Sequence, residues 1–554
     1  MAEQLYFSRD SKLYLELDST VWEIPILDGF SFSQSTNQTE ISLSEMQGSD
    51  GLSRRGNRLF TDSLAPAEWS FSTYVRPYET NSEHGAVEEA LWAVMAGADK
   101  YKAANAGGGM VKGAGGSNTT VVVTGGGTIS GATAGTYTIN DEDSGITGTA
   151  PSGAVGWEID IVMTTTGVTS VTVISGGSGF SVNDTLIIPA SLVGGGDKGV
   201  TVTVAAVTTT GASFYRGSQA DENSTFGPAV VEPSGTSSII NFGQSNRSTL
   251  GTCNLYFVME TSTANPMVYK LSNAAVNEAS IDFEVDGIAT INWSGFAKTI
   301  TDMQSGGDVY SIANVGGAFA TTNSHREAVT DAIADTVNTT DPAVGDVILN
   351  SNDDMAFYIV TDATSSSEAA VKAIDTAVDN TSTFIRNRLT QLLVEDKDAD
   401  TTAFPSTNYN LTLTGGNITI SNNISYLVPE ELGAVNVPIE HVTGGRTASG
   451  SFTCYLTLDD SSGNNGTSVE LFNDMTNSAT GGGLSKVVNN FEVVFQIGGS
   501  VGTPRLNVTM PKVHINVPSH SIEDVISVET SFGAYTDDFN VANEIQLEYV
   551  GPAI

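Results

Sequence analysis

An internal repeat limits the folds open to this sequence, because two copies of one pattern form two units of the same kind. The segments 69–75 and 450–456 both alternate apolar and polar residues, which is typical of a half-buried strand. They share three residue types at the same spacing: Ser70, Phe71 and Tyr74 in the first segment, and Ser451, Phe452 and Tyr455 in the second. We therefore expect this strand to occur twice in the fold.

Further matches follow in the same order along the chain. An amphipathic stretch comes after each strand, at 87–95 and at 469–475, and predicts a short helix in both copies. In this match Val87 and Glu88 correspond to Val469 and Glu470. Three more strand-like segments also match: 30–33 with 418–421, 255–258 with 493–496, and 288–295 with 526–533. The collinear order of the matches indicates two copies of one β-rich unit.

The first copy is longer than the second between Gly97 and Cys253. The composition changes in the same interval. Residues 103–116 are rich in Gly and Ala, and residues 119–210 form Val/Thr runs that are broken by Gly clusters. This pattern predicts an inserted β domain that spans 105–245.

A region without matched strands separates the two copies. It contains two helical patterns, 325–337 and 368–378, on either side of the apolar run 355–360. A short strand between helices predicts a small α/β spacer. The expected domains are a discontinuous first domain (1–104 and 246–300), the insertion (105–245), the spacer (301–380) and a second domain (381–554).

The composition favours a mainly β fold and excludes one class of function. The chain has 58 Gly among 554 residues and long Thr/Val/Ser stretches, which suit strands and turns. Its 63 acidic and 23 basic residues give a net charge of −40, which repels nucleic-acid phosphate. We therefore do not expect a sequence-specific DNA-binding protein. The sequence also has neither a signal-peptide pattern nor a run of about 18 apolar residues, so we expect no membrane insertion.

No residues have the spacing of a catalytic, cofactor or metal site. The five histidines are His84, His325, His441, His514 and His520, and none adjoins a Ser or Cys nucleophile motif. The last two share one strand face by their spacing, but Pro518 lies between them and a third ligand is lacking nearby. We expect a chain without catalytic, cofactor-binding or metal-binding residues, and therefore not an enzyme. Among 63 acidic residues no pair stands out as the two carboxylates of a glycosidase.

The acidic and glycine-rich clusters also lack complete motifs. The run Asp396–Asp400 begins like a calcium loop, but Thr401 and Thr407 replace the Gly and Glu that such a loop needs. The clusters 141–143 and 353–354 are interpreted as solvated loop charges. The run 125–127 lacks the Gly-Lys-Ser/Thr ending of a phosphate loop. We expect Cys253 and Cys454 to be buried, small hydrophobic side chains that are not disulfide partners.

Three segments of the first copy resemble the major tail tube proteins of tailed bacteriophages: 22–46, 63–77, and 268–278 continuing into 281–293. The internal repeat extends this resemblance to the second copy. The resemblance implies two β-barrel or sandwich domains, each with a short flanking helix, in subunits that stack as rings around a channel for DNA. Two such domains in one chain imply homotrimeric rings with pseudo-sixfold symmetry.

The same resemblance implies the partners and the location. The partners are further copies of the chain, the tail terminator, the tape-measure protein and the baseplate or tip proteins, with non-specific passage of phage DNA during ejection. The location is the virion tail, after assembly in the host cytoplasm. An acidic lumen suits this role, because clustered Lys and Arg hold DNA by counterion release. The inserted domain is expected to face outward, since a whole domain does not fit a DNA-sized channel.

Two other classes of protein remain as alternatives. One is another structural protein of a virion or injection machine. The other is a β-rich adhesin or carbohydrate-binding protein, which has a similar Gly/Thr-rich composition but normally needs an export signal.

Overall fold

Strands dominate this computed structural model, as the composition predicts. The structure describes residues 6–17, 20–41, 49, 58–80, 83–97, 109–110, 121–125, 129–140, 143, 145–149, 155–178, 180, 183–205, 207–208, 216–218, 229–233, 236–242, 250–259, 266–312, 329–333, 342–350, 356–364, 367–376, 381–397, 408–427, 437–457, 466–472, 475, 490–517, 519–522, 526–536 and 543–553.

The first part of the chain contains eight strands and helix α1 (Glu89–Met95). The strands are β1 (Ser11–Leu17), β2 (Thr20–Ile24), β3 (Ser31–Ser33), β4 (Thr36–Ile41), β5 (Arg58–Leu64), β6 (Ala67–Tyr74), β7 (Pro77–Thr80) and β8 (Glu83–Ala86). Strand β6 buries every second residue, which confirms the strand predicted at 69–75. Helix α1 is buried along its whole length and confirms the helix predicted at 87–95.

The insertion has strands and a core of its own. Its strands are β9 (Gly109–Met110), β10 (Val121–Gly125), β11 (Gly135–Asn140), β12 (Thr147–Gly148), β13 (Val155–Thr164), β14 (Gly167–Ser178), β15 (Thr185–Ile188), β16 (Val200–Val204) and β17 (Val207–Thr208). Strands β10, β16, β15 and β12 form one sheet, and β11, β13 and β14 form another. Side chains of both sheets, such as Trp157, Ile161 and Val202, share one hydrophobic cluster. Strand β9 pairs with β17 and brings the two ends of this unit together.

After the insertion the chain continues with seven strands and the single-turn helix α2 (Met303–Gly306). The strands are β18 (Arg216–Ser218), β19 (Ala229–Pro233), β20 (Ser238–Asn241), β21 (Cys253–Met259), β22 (Met267–Glu284), β23 (Thr290–Ala297) and β24 (Thr299–Asp302). Val231 of β19 and Ile240 of β20 belong to the main hydrophobic cluster, not to that of the insertion. Strands β19 and β20 therefore pack in the main hydrophobic cluster, and β18 pairs with β19, although the sequence placed all three strands in the insertion, before the boundary at 245.

The spacer is a five-stranded sheet in its described part. Its strands are β25 (Val309–Ile312), β26 (Val329–Ile333), β27 (Val347–Asn350), β28 (Ala356–Thr364) and β29 (Ser367–Lys372). Strand β28 confirms the strand predicted at 355–360. The helices predicted at 325–337 and 368–378 were wrong, because the described residues there include β26 and β29, which pair with each other. Pairing of β29 with two neighbours outweighs the helix propensity of its Glu-Ala-Ala run.

The last part of the chain adds eleven strands and the helical residues 468–472, within the helix predicted at 469–475. The strands are β30 (Gln391–Asp396), β31 (Asn408–Leu411), β32 (Leu413–Ser421), β33 (Ser425–Leu427), β34 (Glu440–Val442), β35 (Thr447–Tyr455), β36 (Phe491–Ile497), β37 (Arg505–Ile515), β38 (Ser519–Ile522), β39 (Ile526–Ala534) and β40 (Gln546–Val550).

The same strand pairings occur in two parts of the chain, which we name the first strand group (β1–β3, β6 and β21–β24) and the second strand group (β30–β32 and β35–β40). In the first group the antiparallel pairs are β1–β2, β1–β21, β21–β22, β22–β24, β22–β23, β23–β6 and β6–β3. In the second group they are β30–β31, β30–β36, β36–β37, β37–β40, β37/β38–β39, β39–β35 and β35–β32. Every pairing of one group thus has a counterpart in the other.

Residue correspondence between the groups is fixed by a shared bulge. The β21–β22 register shifts after Cys253, and the β36–β37 register shifts after Phe491. Once these two positions are matched, the pairings relate buried residues to buried residues, as with Phe71 and Phe452, Leu13 and Leu392, or Ile291 and Val528. The sequence match of 288–295 with 526–533 is therefore one residue out of register, since it set Ile291 against the exposed Glu529.

The two helices begin with the same kind of contact. The Glu470 carboxylate accepts a hydrogen bond from the Thr467 backbone N–H at 2.8 Å, and the Thr467 hydroxyl accepts one from Glu470 N–H at 3.3 Å. This is a capping box. In the first group the Glu89 carboxylate accepts from Ala86 N–H at 3.1 Å. Glu89, not Glu88, is thus the structural counterpart of Glu470, one residue from the position given by the sequence match.

Candidate assembly junction

The two strand groups meet at a strand pairing that lies within a single chain. Strand β22 has 18 residues. Its first half pairs with β21 and β24, and its second half pairs with β23 on one edge and β32 on the other. Residues 278–284 run antiparallel to residues 415–421, with Ser280 opposite Thr419. One sheet therefore continues from the first group into the second.

Side chains reinforce this junction. The Thr419 hydroxyl donates to the Ser280 hydroxyl at 3.2 Å. The buried Asn422 side chain donates to two backbone carbonyls of the first half of the chain, Met95 O at 2.9 Å and Val276 O at 3.1 Å. The Asn277 side-chain oxygen accepts from Ile424 N–H at 2.7 Å. The hydrogen-bonded amide side chains of the buried Asn422 and the partly buried Asn277 fix the register of the two groups.

A second connection joins the C-terminal strand of the second strand group to strands that precede β21. Strand β40 pairs with β37 of its own group and with β20, which precedes β21. Beyond β40, Gly551 N–H donates to His84 Nδ1 at 3.1 Å. A Cβ on Gly551 would lie 2.1 Å from Tyr78 N, so only glycine permits this approach. The end of the chain is thus held against the β7–β8 hairpin.

A cluster of buried polar groups includes Tyr549 of strand β40, with Trp92 and Glu88. Trp92 Nε1 donates to the Tyr549 hydroxyl at 2.6 Å, and Tyr549 is hydrogen-bonded with the Glu88 carboxyl group. Burial raises the pKa of Glu88 to about 7 and raises the pKa of Tyr549 well above its usual value. Glu88 therefore holds a proton through mildly acidic conditions, and in that form it is compatible with its buried position.

The histidines weighed in the sequence do not converge in the described part of the chain. His84 accepts the bond from Gly551, His441 lies near the Tyr426 ring, and desolvation lowers the His441 pKa. His514 is opposite Gly533, whereas His520 is opposite Val528. His325 lies outside the described residues. Within the described ranges, no group of three or more His, Cys, Asp and Glu is arranged to hold a metal ion.

The acidic clusters have ordinary surroundings where the structure describes them. Asp396 ends strand β30, and the Lys397 ammonium contacts Glu492 at 2.8 Å and Glu395 at 3.4 Å. The remaining residues of these acidic and glycine-rich clusters lie outside the described residues: Asp398, Asp400, Asp141, Glu142, 353–354 and 126–127.

The two cysteines are buried free thiols, as expected from their positions in strands. Desolvation raises the pKa of each to about 12. In the part of the chain that the structure describes, no helix is long and apolar enough to cross a membrane.

Sequence reasoning missed the junction itself. The side chains of Asn277 and Asn422 make hydrogen bonds across it. A polar residue in or beside a strand looks the same in the sequence whether it is buried or exposed. The paired residues 278–284 and 415–421 lie far apart in the sequence, so no local pattern indicates the junction.

Comparison with known proteins gives the class of protein to which this chain is related: a curated homologue is a bacteriophage tail tube protein. In particular, 168 residues of the chain are 33% identical to tail tube protein pb6 of Escherichia phage T5. The match covers 30% of this chain and 32% of that protein, so the aligned part spans about a third of the length of the curated relative. No family model matches the chain.

Proposed function

We propose that this chain is a structural subunit of a bacteriophage tail tube. The similarity to tail tube protein pb6 carries the proposal, because it is a sequence relationship to a protein of that class. The mainly β fold agrees with it. The role is structural, without catalytic turnover.

The chain contributes two tube domains, which arose by duplication. The first strand group and α1 form one, and the second strand group and residues 468–472 form the other. The matched pairings and the matched bulges at Cys253 and Phe491 support this assignment. A ring with six domain positions then needs three chains, so the ring has threefold symmetry and is approximately sixfold.

The rings stack into a tube whose channel conducts DNA during ejection. The net charge of −40 supports this role, since an acidic wall does not retain a polyanion. The tube belongs to the virion tail and is assembled in the host cytoplasm. Its further partners are the tail terminator, the tape-measure protein and the baseplate or tip proteins.

Electron microscopy of the purified chain tests the proposal. Rings or tubes with a continuous central channel are the expected result. A chain that stays monomeric at all protein and salt concentrations contradicts the proposal, and so does a hydrolytic activity that one Asp or Glu substitution abolishes.

A further inference from the structure

Strand β32 has both edges paired, whereas its counterpart β3 has one edge without a partner among the described strands. Strand β32 pairs with β35 on one side and with β22 on the other. Strand β3 pairs with β6, the counterpart of β35, and no described strand pairs with its other edge. Ser31 and Ser33 of β3 are exposed. Phe32 is partly buried, with its ring 4.8 Å from that of Phe257.

The complementary edge without a described partner belongs to β38. Ser280 lies opposite Asn292 in the β22–β23 ladder, and Ser519 lies opposite Glu529 in the β38–β39 ladder. Because Ile291 corresponds to Val528, Asn292 corresponds to Glu529, and Ser280 therefore corresponds to Ser519. Strand β38 is therefore the counterpart of the second half of β22. A one-residue register shift before this half occurs in both groups, after Val276 in β22 and between β37 and β38. Within the described residues β38 pairs with β39, and nothing takes the position that β32 occupies beside β22.

We propose that β38 of one chain pairs antiparallel with β3 of a second copy of this chain. The inference rests on the proposed function and specifies the contact between neighbours in the ring. The two strands pair in the same register as β22 and β32. This register places Ser519 opposite Ser33, His520 opposite Phe32 and Ser521 opposite Ser31. The pairing inside the chain is the template for the pairing between chains.

The chemistry of the two edges favours this occupant. An unpaired strand edge presents backbone N–H and C=O groups that template pairing with another strand. Among the described strands, each chain has one such edge on β3 and one on β38, and these strands belong to different strand groups. The contact is therefore heterologous and generates a closed ring or an open helix. The repeat of the same step inside the chain favours closure with three chains.

Disulfide trapping tests the register. The variant carrying Ser33→Cys and Ser519→Cys is assembled and oxidised with diamide. Directly opposite residues of antiparallel strands have Cβ atoms about 4.5–5.5 Å apart, close enough for a disulfide after small adjustments. We expect covalent dimers and trimers on a non-reducing gel, and no larger species. The matched control carries Ser280→Cys and Thr419→Cys at the equivalent positions and should form its disulfide within one chain.

Three further samples define the background: the two single-cysteine variants and the parent chain, whose Cys253 and Cys454 are buried. These samples should yield no covalent dimers or trimers through the proposed contact. Tubes that form without the Ser33/Ser519 disulfide, while the control pair closes, overturn the strand pairing and leave the proposed function standing. A parent chain that never assembles overturns both. If the double variant does not fold, a reconstruction of parent tubes decides: β38 beside β3 supports the inference, and any other neighbour overturns it.

Discussion

Among individual residues, both strand groups have an aromatic residue opposite a glycine at corresponding positions, but the two residues are exchanged between the paired strands. Trp69 is opposite Gly295 in the β6–β23 ladder, and Phe532 is opposite Gly450 in the β39–β35 ladder. A Cβ on Gly295 would lie 2.5 Å from the Trp69 ring, and one on Gly450 would lie 2.6 Å from the Phe532 ring. The space is filled in both groups although the residues differ. The sequence comparison therefore finds Trp69 against Gly450, an apparent mismatch.

Both glycines should resist substitution. A Cβ on Gly295 would be 2.1 Å from Ala275 O, and one on Gly450 would be 2.1 Å from Asn417 O. We expect Gly295→Ala and Gly450→Ala each to lower the free energy of unfolding by about 1–3 kcal/mol, the usual cost of overpacking. Urea unfolding of the unassembled chain measures it. Gly445→Ala is the control, because nothing lies within 4 Å of its Cβ position. Equal midpoints for all four proteins contradict this prediction.

The buried Glu88 should make stability depend on pH. Its pKa rises from 4.5 to about 7 on folding, so the folded chain binds the proton more tightly than the unfolded chain. The contribution of this tighter proton binding to the free energy of unfolding is fully present below the unfolded-state pKa. It is lost as the pH rises from about 4.5 to about 7, so the free energy of unfolding falls by about 3 kcal/mol over this range. We expect Glu88→Gln to remove this part of the pH dependence. Exposed Glu68→Gln is the control, and parallel pH profiles of Glu88→Gln and the parent contradict the prediction.

At the level of elements, strands were predictable from the sequence where one face is buried. The alternation in β6, β35 and β23 gave their positions because core residues recur with period two. The prediction of helices in the spacer failed because local residue preferences did not decide the structure there. The helix-forming residues of β29 are held in a sheet by two neighbouring strands. The β22–β32 junction depends on contacts between distant parts of the chain, to which local patterns do not respond.

Asn422 should hold the two strand groups in register. Asn422→Ala removes two donors and leaves the carbonyls of Met95 and Val276 without this partner. We expect a loss of about 1–3 kcal/mol in the free energy of unfolding. The control is Asn37→Ala, whose exposed side chain donates to Ser63. Urea midpoints that fall equally in both variants contradict a specific role for Asn422.

For the whole molecule, the insertion should be dispensable for assembly. Its core is separate from the main one, and β9 and β17 bring its ends together at Met110 and Val207. We expect replacement of residues 111–206 by a short Gly-Ser linker to leave tube formation intact, because β3 and β38 are unchanged. Electron microscopy of the deletion variant measures it. Loss of tubes in a variant that remains folded shows instead that the insertion belongs to the tube wall.

The central claim is that one chain supplies two neighbouring positions of a tube ring. A cryo-EM reconstruction of assembled tubes tests it most directly, because it counts the chains in each ring and shows which strands meet between them. We expect three chains per ring, alternating β22–β32 contacts within chains with β38–β3 contacts between chains. Six copies of this chain in one ring contradict the account.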